Sequence, residues 1–92
     1  MNNKNKFEWD ENKRQSNIDK HGIDFEDAIQ IFEDRMRVEA LSSQKDEERY
    51  ITFGVVNEVV LAVVYTNRNN VKRIISARVA HENERRIYYF QE

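Results

Sequence analysis

Ninety-two residues without cysteine set one small domain with one modest core, and they exclude disulfides and thiolate metal sites. Fifteen Lys and Arg oppose seventeen Asp and Glu, a formal net charge of −2, which argues against a protein that coats nucleic acid indiscriminately. No apolar run approaches the roughly 18 residues of a membrane span and no signal peptide is recognisable, so a cytoplasmic location is expected.

In chain order, residues 1–6 read as a flexible, Asn/Lys-rich extension and residues 7–92 as the domain. Residues 7–9 form a short strand or an entry segment. Asp10 caps a polar helix over 11–20, and Gly22 stops it in a left-handed conformation. Asp24 caps a second helix reaching about residue 34, in which Phe25, Ala28, Ile29 and Phe32 keep the spacing of one apolar face. Residues 37–41 alternate as a strand, and 42–47 make a polar loop. Residues 49–56 and 58–66 are rich in β-branched and aromatic side chains and form a hairpin through Asn57 and Glu58. A turn at 67–70 leads to a fourth strand over 71–79. A last helix over 81–90 carries Ile87 and Phe90 one turn apart. The pattern predicts an α+β fold with its helices packed on one face of the sheet: two N-terminal helices on a four-stranded, mainly antiparallel sheet, with a C-terminal helix.

Charge is unevenly placed. Residues 68–86 hold Arg68, Lys72, Arg73, Arg78, Arg85 and Arg86 against Glu82 and Glu84, which leaves nine basic against fifteen acidic residues elsewhere. Five of those six cations are arginine, whose rigid fork matches phosphate oxygens. Strict alternation over 71–79 puts Lys72, Ile74, Ser76 and Arg78 on one face, and Val71, Arg73, Ile75 and Ala77 on the other. Arg49 opens one strand and Arg68 follows another. Because strand ends alternate in a meander, alternation alone does not bring Arg49, Arg68 and Arg78 to one rim. Each arginine could equally be a solvated strand-end charge paired with a carboxylate.

His21 stands at a helix C-terminus, which favours positive charge there. It reads either as a C-capping side chain or as a proton-transfer group. His81 reads as a surface residue. Two isolated histidines do not make a metal site, and no cofactor motif appears. Tyr65, Tyr88, Tyr89 and Phe90 suit packing, or stacking on bases. The chemistry open to such a set is metal-free RNA cleavage, in which the ribose 2′-hydroxyl attacks the adjacent phosphorus, a base takes its proton and arginines stabilise the phosphorane.

Several segments together resemble one family. Phe7-Glu8-Trp9-Asp10, Lys13, Asn17, Lys20-His21-Gly22-Ile23 and Phe25-Glu26 are similar to the opening of BrnT-type toxins. Glu48-Arg49-Tyr50 with Gly54, Val63-Val64-Tyr65-Thr66 with Arg68, the run from Arg73 through Ile-Ile-Ser-Ala to Arg78, and Glu84-Arg85-Arg86 with Tyr88 continue the likeness. The resemblance implies a RelE/ParE-like fold and a ribonuclease toxin of a type II toxin–antitoxin system that arrests translation. It implies neutralisation by a BrnA-like antitoxin in a hetero-oligomer that reaches operator DNA only through the antitoxin. It also implies no cofactor. By matching position, His21, Arg49, Arg68 and Arg78 are the candidate catalytic residues. Lys20, Lys72, Arg85 and Arg86 are candidates for holding RNA. Two other readings stand beside it: a non-catalytic module whose basic patch docks a nucleic acid or an acidic partner, and a ParE-like toxin acting on a topoisomerase.

Overall fold

The computed structural model describes residues 6–43 and 46–91. Apart from Lys6, the expected N-terminal extension lies outside the described residues, as do two residues of the expected polar loop. Two tight turns build the sheet. Asn57 and Glu58 take φ values of 51° and 70°, and Asn69 and Asn70 take 52° and 67°. Two-residue turns of this hand match the twist of the strands they join. They link β3 (Arg49–Val56), β4 (Val59–Arg68) and β5 (Val71–Val79) into an antiparallel meander. β2 (Val38–Ser43) pairs antiparallel with β3, and β1 (Phe7–Glu8) runs parallel to β5. The sheet is thus five-stranded and mixed, in the order β1-β5-β4-β3-β2. The expected four strands omitted β1, whose two residues are too few to show a period.

A β-bulge corrects the expected faces of β5. The ladder with β4 runs from Leu61↔Val79 to Val64↔Ser76 and resumes at Tyr65↔Ile74. Ile75 is the extra residue, and passing it inverts the alternation. Ile74 and Ala77, three residues apart, are therefore both buried in the same core. Lys72 lies on that side, with its Nζ over the rings of Phe32 and Tyr65. Arg73 and Arg78 share the opposite side. Strict alternation had put Lys72 with Arg78 and Arg73 apart from both.

The larger core joins Phe25, Ala28 and Ile31 to Val56, Leu61, Val63, Tyr65, Ile74 and Ala77. Above it lie α1 (Glu11–His21), α2 (Phe25–Ala28) and a 3-10 turn (Ile29–Glu33). The second helix is therefore α-helical for one turn only, not as far as residue 34. The tighter winding brings Ile31 down over Gly54, where a Cβ would stand 2.7 Å from Ile31 Cγ1. Asp10 and Asp24 cap α1 and α2 as expected, accepting from the N–H groups of Asn12 and Glu26. Gly22 closes α1 at φ 69°. α1 buries Asn17 rather than an apolar side chain. Its carboxamide accepts from the Ala77 N–H (3.1 Å) and donates to the Ala77 carbonyl (2.7 Å), standing in for a neighbouring strand where β1 has ended.

α3 (Glu82–Tyr89) packs on the other side of the sheet, so the helices do not share one face as expected. Tyr88 joins Phe53, Val60, Ala62 and Ala80 in a second core, while Ile87 and Phe90 are exposed. Asp34 ties the two sides together. Its carboxylate accepts from the Tyr88 hydroxyl (2.6 Å) and from the N–H groups of Val55 and Met36 (both 2.8 Å). Burial pushes the Asp34 carboxyl up, but these bonds outweigh it and hold it below the ordinary range. The same bond pushes the Tyr88 hydroxyl up to about 12.

Candidate functional site

α3 covers only the Phe53–Val60–Ala62 end of its side of the sheet. The rest of that side is open. Ile51, Val64 and Ser76 form a half-buried floor on three neighbouring strands, with exposed Ala40 opposite Ile51 on β2. Beyond this floor the ladder lines up Arg49↔Thr66 and Thr66↔Arg73, and Arg73 in turn with Glu8. Cross-strand neighbours of this kind stand about 5 Å apart. Two arginines thus flank Thr66 on one face, and Arg68, two residues along β4, extends the group.

Residues 46–48 fold across this end of the sheet. The buried Thr66 hydroxyl donates to the Glu48 carbonyl at 2.7 Å. That bond places Glu47 against Arg68, whose Nε and NH2 both donate to its carboxylate at 3.2 Å. The Glu47 carboxyl is held low by the Arg68 bonds first, and further by the charges of Arg68, Arg49 and Arg73. Arg73 pairs with Glu8 at 3.0 Å. Arg49 has no ion pair among the described residues.

Arg78 projects from β5 opposite Ala62, four residues along β4 from Thr66, or roughly 13 Å at strand rise. Its two terminal nitrogens donate to both oxygens of Glu84 at 2.7 and 2.9 Å. Glu84 also accepts from the His81 N–H at 2.8 Å, capping α3. The guanidinium bond dominates, and it holds the Glu84 carboxyl down at about 2 despite burial. Arg78 thus fixes α3 to the sheet while staying partly exposed.

The expected site residues therefore fall into separate groups. Arg49 and Arg68 come together at one end of the open face, and Arg78 lies on the same face near α3. His21 is set apart: with Lys13, Ser16, Asn17, Lys20, Ile75 and Ser76 it lines a shallow pocket of about 190 Å³ along the edge of β5. Lys72 is on the helix side, bordering a cavity of about 570 Å³ with Phe32 and Arg37. Arg85 donates to the Ala80 carbonyl at 2.7 Å, and Arg86 approaches Glu82 at 3.5 Å. Tyr65 and Tyr88 are buried, whereas Tyr89 and Phe90 are exposed. The sequence reading missed Arg73, Glu47 and Glu84. The adjacent Ile74 and Ile75 were the available signal, since two large apolar residues in succession break a period of two.

Among the described residues, no group of three or more His, Cys, Asp or Glu side chains is arranged to hold a metal ion. No helix among the described residues is long and apolar enough to cross a membrane. Chemically, the open face offers forked cations spaced along a shallow, partly apolar floor, which suits an extended anion carrying flat rings. A family model described as the ribonuclease toxin BrnT of type II toxin–antitoxin systems matches residues 9–84. No curated protein matches the chain.

Proposed function

The chain belongs to the BrnT family of ribonuclease toxins of type II toxin–antitoxin systems, and from that premise we propose that it is an endoribonuclease that arrests translation in the cytoplasm. The family implies a protein antitoxin as its partner. In this reading the antitoxin is BrnA-like, forms a hetero-oligomer with the toxin and carries the contact with operator DNA. The RelE/ParE-like relationship belongs to the same reading.

The observation that carries the proposal is the open sheet face with Arg49, Arg68 and Arg78 on one side of it. The RNA backbone runs along this face, and the arginines hold the scissile phosphate and its neighbours. The 2′-oxygen bonds to phosphorus, the P–O5′ bond breaks, and a cyclic phosphate and a 5′-hydroxyl result. His21 takes the proton of the 2′-hydroxyl and returns one to the leaving oxygen. Its role rests on the family likeness, and its pocket with Lys20 and Ser76 adjoins the strand that carries Arg78. The reaction as written draws on no metal or other cofactor. Arg85 and Arg86 position more distant RNA, whereas Lys72, over Phe32 and Tyr65 on the opposite side of the sheet, lies off this surface.

The separation of His21 from the arginines favours a second reading, a binding module without turnover. Expressing wild type beside His21→Ala, Arg49→Ala and Arg78→Ala, and scoring growth with RNA integrity, separates the two. The ribonuclease reading expects growth arrest with broken RNA for wild type and loss of both for the arginine variants. Because Arg78→Ala strands Glu84, its folding is checked by circular dichroism, and Arg49→Ala decides between the readings if Arg78→Ala unfolds. Arrest with intact RNA contradicts the proposal, and DNA damage in such cells points instead to a topoisomerase target.

A further inference from the structure

The Arg49–Arg68–Arg73 end of the open face already holds an anion, the carboxylate of Glu47. That pair is built unlike the one at Arg78. Both of its contacts are long, 3.2 Å, and Arg68 is 49% exposed. Glu47 belongs to residues 46–48, which are outside any helix or strand and are fastened there through the Thr66–Glu48 hydrogen bond. The three arginines stand on three neighbouring strands and face two carboxylates, Glu47 at Arg68 and Glu8 at Arg73. An exposed pair of this geometry is weak and exchangeable.

We propose that Arg49, Arg68 and Arg73 form a phosphate subsite for RNA backbone flanking the cleaved bond, and that Glu47 occupies it as an internal competitor which RNA displaces. The inference rests on the ribonuclease reading and adds to it Arg73 as a positioning residue and Glu47 as a brake on binding. A phosphate diester brings two oxygens that share one negative charge to the Arg68 fork in place of the carboxylate. It sits within reach of Arg49, which has no ion pair among the described residues. The Glu47 side chain then turns out of the fork, while the Thr66–Glu48 hydrogen bond and the sheet stay in place. Because the contacts are to phosphate, the subsite strengthens binding without selecting sequence.

The test is binding of a non-cleavable 2′-O-methyl oligonucleotide over a salt series, using wild type, Glu47→Gln, Arg73→Gln and Glu58→Gln. Glu58 sits in the distant β3–β4 turn, so its variant makes the same change of net charge away from the subsite. Glu47→Gln is expected to bind about fivefold tighter, the scale of one exposed ion pair, and Glu58→Gln to match wild type. Arg73→Gln is expected to bind about fivefold weaker and to shallow the salt slope by about 0.7, the value for one lost phosphate contact on a single strand. Equal affinities for Glu47→Gln and Glu58→Gln, or no change in Arg73→Gln, overturn the subsite while leaving a wild type that cleaves RNA as an established ribonuclease. A wild type that neither binds nor cleaves overturns both readings.

Discussion

Arg78 and Arg68 meet their carboxylates in opposite ways. Glu84 is 11% exposed, grips both terminal nitrogens of Arg78 at 2.7 and 2.9 Å and also caps α3. Glu47 meets the half-exposed Arg68 at 3.2 Å from a segment with no regular structure. The same two residue types thus make a lock at one end of the face and an exchangeable pair at the other. Burial and the number of bonds each carboxylate satisfies decide which.

The largest effect expected from breaking this contrast is at the lock. Glu84→Gln leaves the Arg78 charge uncompensated and weakens the cap on the His81 N–H. It should cost about 2 kcal/mol, or roughly 10 °C in Tm for a domain of this size, as read by thermal denaturation. Glu47→Gln in the same assay should leave Tm nearly unchanged. Equal losses from the two would erase the distinction. Next in size is Asn17→Ala, which removes both partners of Ala77 at the edge of β5. It should cost about 1–2 kcal/mol and speed hydrogen exchange at the Ala77 amide. The same lock also sets acid sensitivity. The Glu84 carboxyl is depressed in the folded state, so its stabilisation is full above the ordinary glutamate value of about 4.3 and is lost as pH falls toward about 2. Wild type should lose stability over that window, and Glu84→Gln should show a shallower loss in pH-dependent denaturant melts.

How much of this was legible in the sequence depended on range. Turns and caps were readable because Asn57, Asn69, Gly22, Asp10 and Asp24 act within a few residues of themselves. The meander followed from runs rich in β-branched and aromatic residues joined by short turns. β1 was legible only as a short strand or an entry segment, since two residues carry no period to place it in the sheet, and the 3-10 turn after Ala28 keeps the apolar spacing of a helix while packing against Gly54. The site suffered most from one residue. Ile75 bulges out of the ladder, so every side chain before it changes face, and Arg73 rather than Lys72 joins Arg78. The Arg78–Glu84 and Arg68–Glu47 pairs depend on where a helix and a loop return to the sheet, which local pattern does not encode.

The central claim is that RNA lies on the α3 side of the sheet. Methyl NMR with the 2′-O-methyl oligonucleotide tests it directly, because the two sides of the sheet carry different apolar side chains. The account predicts shifts at the Ala40, Ile51 and Val64 methyls on the open floor, with Ile29 and Ile31 under the helices unmoved. Shifts confined to Ile29, beside the Phe32–Lys72 cavity, would contradict it.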